Sequence, residues 1–258
     1  MDIFFGIIIP FIGTTLGASM VFFTKGKGNE ALEKLMVGFA SGVMIAASIW
    51  SLILPAIELA KVNYKLSWLP IVIGFLLGTF LLLILDIIIP HIHALGEKAE
   101  GLNNNKHKKR TMMMLAITIH NIPEGIAVGV IFAGLLSEIV GISYSSAMAL
   151  AIGIAIQNFP EGAIVSMPLA LDGKQKFKSF IFGVLSGIVE PIAAGLTLLL
   201  SKLMVPILPY LLSFAAGAMI YAVVEELIPE SQMGRHTNLA TIGVAIGFLL
   251  MMVLDISL

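Results

Sequence analysis

The sequence predicts an all-α membrane protein with eight transmembrane helices in a 3+2+3 inverted-repeat bundle, both termini being extracytoplasmic. The first observation behind this prediction is composition: 58% of the 258 residues are hydrophobic and only 12% are charged, whereas soluble domains have roughly 45–50% and about 25%. The second observation is that the apolar residues form eight long stretches. The third is that short motifs recur between stretches that cross the bilayer in opposite directions.

The eight apolar stretches are each long enough to form a helix across a bilayer core of ~30 Å, which takes ~20 residues. They belong to one domain, residues 1–258, with a predicted flexible cytoplasmic loop at about 94–110 that is rich in Asn and basic residues. The first stretch has no basic segment before it, so we interpret it as a retained helix and not as a signal peptide. The predicted spans cover residues 3–24, 35–57, 66–91, 112–136, 143–171, 179–201, 203–228 and 237–256.

The distribution of basic residues predicts the orientation. The connections after spans 1, 3, 5 and 7 contain twelve Lys or Arg residues, whereas the other connections contain three. Because cytoplasmic loops carry the excess of Lys and Arg, the first group of connections is predicted to be cytoplasmic, which leaves both termini outside.

Composition also excludes several function classes. The net charge is −1 and there is no basic tail, so a nucleic-acid partner is not expected. Cysteine is absent, which excludes disulfides, thiolate metal sites and cysteine nucleophiles. A metal ion in this chain must therefore be bound by His, Glu, Asp, Asn, Gln, Met or water.

Internal similarity links spans that cross in opposite directions. This is an inverted repeat, in which span 1 is expected to pair with span 6, and such repeats place a binding site near the midplane where the repeats meet. The similar segments are Phe39–Ile45 and Phe214–Ile220 in spans 2 and 7, Gly74–Leu77 and Gly247–Leu250 with Leu85–Ile87 and Leu254–Ile256 in spans 3 and 8, and His120–Gly125 and Gln157–Gly162 in spans 4 and 5.

Spans 4 and 5 each place two potential metal ligands one helical turn apart. His120 and Glu124 in span 4 are four residues apart, as are Gln157 and Glu161 in span 5, so each pair shares one face of its helix. A proline follows the first residue of each pair by three positions and is expected to kink the helix. Span 6 adds Glu190, which also precedes a proline.

The energetics of these carboxylates indicate a bound cation. A carboxylate at the bilayer centre costs about 2.5–3.5 kcal/mol on insertion scales, and spans 4 to 6 contain three Glu but no Lys or Arg. A divalent ion supplies the missing positive charge. Ligands of the His, Glu, Asn and Gln types suit Zn, Mn, Fe or Co better than Cu(I), which prefers sulfur.

At these motifs, together with Glu190-Pro191 and Glu226–Glu230, the chain resembles the ZIP (Zrt/Irt-like protein) family of divalent metal transporters, in its bacterial branch. The resemblance covers all eight spans. It implies transport of Zn²⁺, with Cd²⁺, Mn²⁺ and Fe²⁺ as further ions, into the cytoplasm by a multi-pass protein of the inner (plasma) membrane. It also implies a homodimer in the lipid bilayer, without a resident cofactor and without enzymatic activity.

The resemblance further implies a binuclear metal centre. The implied ligands of the first ion are His120, Glu124, Gln157, Glu161 and Met44. Those of the second ion are Asn121, Asn158 and Glu190, with Glu124 and Glu161 bridging. Some relatives have Asp where this chain has Asn158, so the second ion is expected to bind more weakly here.

Other ionisable residues suggest a path for the ion. Glu58 and Asp255 lie at the predicted outer ends of spans 2 and 8 and are expected to collect cations. The resemblance implies an exit relay at the cytoplasmic ends of spans 3 and 7, made of Asp86, His91, His93, Glu225 and Glu226. The family mechanism is alternating access, in which spans 1, 4, 5 and 6 move against spans 2, 3, 7 and 8, with small residues such as glycine allowing close approach.

Two alternatives stay open at the level of sequence. An intramembrane metal-dependent hydrolase would commonly hold one metal with several His residues and an open position for water. A proton-coupled transporter of another substrate would use the Glu residues as proton relays.

Overall fold

The computed structural model describes residues 2–23, 30–88, 109–139, 142–171, 175–233 and 237–258, with side chains for all of these except 2, 109–117 and 171. Within these ranges the regular structure is entirely helical, and eight helices are long and apolar enough to span a membrane, as predicted. They are α1 (Ile3–Phe22), α2 (Glu30–Asn63), α3 (Trp68–Ile88), α4 (Lys109–Leu136), α5 (Tyr144–Leu171), α6 (Lys176–Leu199), α7 (Ser201–Ser231) and α8 (Leu239–Ser257).

Two helices extend beyond their predicted spans at both ends. Helix α2 runs over Glu30–Asn63 where residues 35–57 were expected, and α7 runs over Ser201–Ser231 where 203–228 were expected. The added turns carry charged residues such as Glu30 and Lys61. Such residues lower the hydropathy and so ended the predicted membrane span, but they are compatible with a helix.

The predicted loop at 94–110 overlaps the start of α4, because residues 109 and 110 are already helical. The remainder of that loop lies outside the described residues. So do His91 and His93, the two histidines of the predicted exit relay.

The helices pack as four main pairs: α2 with α8, α3 with α7, α1 with α5, and α4 with α6. Exchanging α2 with α7, α3 with α8, α1 with α6 and α4 with α5 converts the first pair into the second and the third into the fourth. The packing therefore has the predicted inverted repeat.

Close approaches of glycine fix the register between the repeats. A Cβ on Gly42 would collide with the carbonyl oxygen of Val244, and a Cβ on Gly217 would collide with that of Phe75. Val244 in α8 therefore corresponds to Phe75 in α3. The expected match of Gly74–Leu77 with Gly247–Leu250 is thus wrong by one helical turn, because both helices repeat glycine every turn and a motif match can slip. In the observed register Asp86 corresponds to Asp255.

The regular α-helical geometry is interrupted at equivalent places. Helices α2 and α7 contain π-helical segments, Ser48–Ile53 and Val223–Leu227, and each is followed by a proline. Helix α6 is broken at Ile188, and Glu190 lies in the first turn of its second half. Such interruptions are frequent at functional sites.

Burial places α4 and α5 at the centre of the bundle. In an apolar segment of 18 residues of α5, 72% of the segment is buried, whereas the shares for the corresponding segments of α3 and α8 are 17% and 22%. Helices α3 and α8 therefore lie on the outside of the bundle, and the polar residues of α4 and α5 lie in the interior.

Candidate metal centre

Polar side chains from α4, α5 and α6 meet in the interior. They are His120, Asn121, Glu124, Gln157, Asn158, Glu161 and Glu190, and none is more than 8% exposed. Sequence spacing predicted that these residues share helix faces. The structure shows that the faces of α4, α5 and α6 also contact one another through the hydrogen bonds described below.

A cavity of about 30 Å³ opens beside this cluster. It is lined by Met44, His120, Glu124 and Glu161, and also by Glu226 and Glu230 of α7. A volume near 30 Å³ corresponds to about one water molecule, so the space suits a single ion or water.

One half of the cluster joins α4 to α5. Glu124 accepts a hydrogen bond of 2.7 Å on Oε1 from the Gln157 amide. The other Glu124 oxygen, Oε2, and Gln157 Oε1 are buried and have no hydrogen-bond partner.

The other half of the cluster surrounds Glu190 of α6. Its Oε2 accepts a hydrogen bond of 2.7 Å from the Asn158 amide, and its Oε1 accepts one of 3.2 Å from the hydroxyl of Thr14 in α1. Sequence analysis did not predict Thr14. The signal that could have found it is the repeat, since α1 is the counterpart of α6.

The two asparagines make equivalent contacts, as the repeat requires. Asn121 donates to the backbone carbonyl of Ser186 in α6 at 3.1 Å, and Asn158 donates to that of Pro10 in α1 at 3.4 Å. In both residues the side-chain Oδ1 is buried without a partner.

Unpartnered oxygens are concentrated in this cluster. Among the described residues, six buried side-chain polar atoms lack a hydrogen-bond partner, and four of the six are acceptor oxygens here, on Asn121, Glu124, Gln157 and Asn158. A buried polar group without a partner costs about 1–3 kcal/mol. Three amide oxygens and a free oxygen of Glu124 lie beside two further carboxylates, and the basic residues of α4–α6 are confined to the first turn of α4 and of α6. A cation would satisfy this environment.

Comparison with known proteins gives the family. A family model described as ZIP zinc transporter matches residues 107–255. The human zinc transporter ZIP11 is 34% identical, with 95% of this chain and 94% of the relative covered. The chain belongs to the ZIP zinc transporter family.

Bacterial ZIP relatives are similar over the same length. Zinc transporter GufA of Myxococcus xanthus is 36% identical over 95% of this chain and 94% of its own. Zinc transporter ZIPB of Bordetella bronchiseptica is also 36% identical, over 96% and 78%. The family model covers α4–α8, and these pairwise similarities extend to α1–α3.

In this ZIP chain His120 departs from the symmetry of the repeat. Its counterpart Gln157 binds Glu124, whereas His120 Nδ1 lies 2.9 Å from Glu226 Oε2 of α7. Asp86, His120 and Glu226 each have one potential ligand atom, and these three atoms lie within 4.8 Å of one another. His120 therefore connects the central cluster to two residues of the predicted exit relay.

Glu225 is the remaining residue of the predicted exit relay, and Glu230 and Tyr221 are two residues near it that the prediction did not include. Glu225 is exposed and does not line the cavity, whereas Glu230, one turn beyond Glu226, does. Tyr221 donates its hydroxyl to Asp86. Glu230 could have been found from its spacing, since residues four apart share a helix face.

The two predicted entrance residues differ in environment. Asp255 is partly buried, and the Ser51 hydroxyl of α2, which has one proton to donate, lies 2.8 and 2.7 Å from its two carboxylate oxygens. Glu58 is exposed and forms an ion pair of 2.7 Å with Lys61. Asp255 is thus bound by a hydroxyl of a neighbouring helix, as its counterpart Asp86 is by Tyr221. Glu58 lies on the surface.

Proposed function

We propose that this chain transports Zn²⁺ into the cytoplasm across the inner (plasma) membrane, by alternating access through a binuclear site at the midplane. The observation that carries the proposal is the set of unpartnered acceptor oxygens, buried beside three carboxylates on central helices. The names of the relatives support zinc as the ion, and the ligand types also suit Cd²⁺, Mn²⁺ and Fe²⁺.

The first ion binds at the cavity. Met44, His120, Glu124 and Glu161 line it, and the free Gln157 Oε1 belongs to the residue that already holds Glu124. One imidazole, two carboxylates and an amide oxygen form a borderline ligand set of the kind that zinc accepts.

The second ion binds beside Glu190, with Asn121 and Asn158 as amide ligands and with Glu124 and Glu161 shared. The free Oδ1 atoms of the two asparagines supply neutral oxygens. Asn158 supplies a neutral amide where some relatives have a carboxylate, so this position binds zinc more weakly than it would with Asp at 158.

Replacing Asn158 with Asp is expected to tighten the second ion about tenfold. The added carboxylate lies beside Glu190 Oε2, where two anions repel each other until a cation separates them. Equilibrium dialysis of purified N158D against increasing zinc, with wild type in parallel, measures the affinity. An unchanged or lower affinity for the second zinc would contradict the assignment of Asn158.

The exit path runs along α7. The cavity continues to Glu226 and Glu230, toward the end of α7 that is predicted to be cytoplasmic. Toward the predicted outer end of α2, Ala47, Leu52 and Ala56 are fully buried. We propose that this conformation is the inward-facing state of the cycle.

Glu226→Gln is expected to slow zinc uptake about tenfold while the central site still binds zinc. The substitution removes the carboxylate that lies 2.9 Å from His120 Nδ1. The ion that leaves the central site then has no negative charge at Glu226 to attract it. Uptake rate and equilibrium zinc binding are measured on the same preparation. Loss of binding together with transport would instead assign Glu226 to the central site.

The moving body consists of α1, α4, α5 and α6, and the scaffold of α2, α3, α7 and α8. Each of the four main helix pairs lies within one of these groups. The carboxylates belong to the moving body, whereas Met44 and Glu226 belong to the scaffold. Sliding would therefore carry the ion with its carboxylates and exchange the scaffold residues around it.

The test is zinc uptake into proteoliposomes that contain a zinc-sensitive dye, with competing Cd²⁺, Mn²⁺ and Fe²⁺ outside. We expect saturable uptake above that of protein-free vesicles, reduced by the competing ions. Uptake no faster than in protein-free vesicles would contradict the proposal. Hydrolysis of added peptide or lipid by the same protein would favour the hydrolase, and zinc binding that releases no protons would favour a proton-coupled transporter of another substrate.

A further inference from the structure

The mechanism above assigns no role to Thr14, although its side chain connects α1 to the central cluster. Its side chain is fully buried, and its hydroxyl lies 3.2 Å from Glu190 Oε1. The same hydroxyl lies 3.5 Å from the carbonyl oxygen of Pro10. A hydroxyl has one proton to donate, and the shorter distance and the charged acceptor favour Glu190.

Neighbouring glycines hold Thr14 in place. A Cβ on Gly187 would lie 2.8 Å from the Thr14 side chain, and a Cβ on Gly162 would collide with the Thr14 carbonyl oxygen. Helices α5 and α6 therefore approach Thr14 so closely that its side chain cannot move away from Glu190. The position of the hydroxyl relative to the carboxylate is fixed by backbone packing.

Thr14 is also the repeat counterpart of Glu190. Gly162 packs against the carbonyl of Thr14 as its counterpart Gly125 packs against the carbonyl of Glu190, at 2.5 Å from the added Cβ. Two counterpart residues that touch each other lie on the pseudo-two-fold axis. At this axis α6 supplies an anion and α1 supplies a neutral donor.

We propose that Thr14 is a positioning residue for the second metal position. Its hydroxyl holds Glu190 Oε1 while the Asn158 amide holds Oε2, so the carboxylate is oriented before an ion arrives. Hydrogen-bond donors behind a ligating carboxylate typically raise metal affinity or activity 10–100-fold. This inference rests on the proposed binuclear site and adds α1 to the helices that determine its affinity.

The test compares Thr14→Val, which removes the hydroxyl and keeps the shape, with Thr14→Ser, which keeps the hydroxyl. Thr197→Val is the matched control, because Thr197 is buried in α6 and its hydroxyl binds only the Ala193 carbonyl among the contacts described. Equilibrium zinc titration of each variant gives the affinities of the two ions, and vesicle uptake gives KM and the maximal rate.

For Thr14→Val we expect a second-zinc affinity lower by about 10–100-fold, an unchanged first-zinc affinity, and a raised KM at an unchanged maximal rate. Thr14→Ser and Thr197→Val are expected to behave as wild type. Thr14→Ala gives the same comparison if Thr14→Val does not accumulate.

The proposal is overturned if Thr14→Val titrates like wild type, or if Thr14→Ser is as impaired as Thr14→Val, which would indicate packing and not positioning. Either result leaves the proposed function standing, since wild-type protein still binds and transports zinc. A wild type that binds no zinc at all contradicts the proposed function, and this proposal with it, before any variant is compared.

Discussion

Glu161→Gln is expected to reduce zinc uptake to below about 1% of wild type. Glu161 lines the cavity and is 6% exposed, and it is proposed to bridge both ions. The amide has the shape of the carboxylate but cannot neutralise a divalent ion. The initial rate of zinc uptake into vesicles that contain a zinc-sensitive dye measures the effect.

The same variant is expected to be as stable as wild type or more stable. Glu161 is a buried carboxylate, and replacing a buried charge by a neutral group of the same size removes a desolvation penalty. Thermal unfolding in detergent measures this. Glu138→Gln is the matched control, because Glu138 is exposed in the α4–α5 connection. Uptake by Glu161→Gln at the level of Glu138→Gln would contradict the site assignment.

Gly217→Ala is expected to destabilise the fold by about 3 kcal/mol and to abolish uptake. The added methyl group collides with the backbone carbonyl of Phe75, and a backbone atom cannot move aside as a side chain can. Helices α3 and α7 would have to separate, and this would disrupt the scaffold to which Glu226 belongs.

Gly195→Ala is the control for this prediction. A Cβ at Gly195 in α6 meets no atom within 4 Å, and alanine favours a helix by about 1 kcal/mol over glycine. We expect this variant to unfold at the wild-type temperature or higher. Equal destabilisation by both substitutions would show that glycine flexibility matters and that the close approach of α3 and α7 does not.

The eight helices were predictable because a membrane span leaves a strong signal in a single sequence. The bilayer requires long apolar stretches whose backbone groups bond within the helix. The inverted repeat was predictable because its motifs survive in both halves. Its register in α3 and α8 was predicted correctly by the match of Leu85–Ile87 with Leu254–Ile256, whereas the match of Gly74–Leu77 with Gly247–Leu250 was one turn off because both helices repeat glycine every turn.

The members of the central cluster were predictable, but their partners were not. Spacing shows which residues share a face of one helix, whereas the rotation of one helix against another decides which faces meet. His120 was expected beside Glu124, and it lines the same cavity, yet its nearest acid is Glu226 of α7. Thr14 was missed because it is one of three hydroxyl residues in α1, and only its position in the repeat distinguishes it from Thr15 and Ser19.

The central claim is that the buried carboxylates hold the transported ion, and the number of zinc ions bound per chain tests it most directly. Equilibrium dialysis of purified wild type is predicted to give two zinc ions per chain, and dialysis of the double variant Glu124→Gln/Glu161→Gln is predicted to give none at the same free zinc concentration. Equal zinc binding by the two proteins would contradict the account.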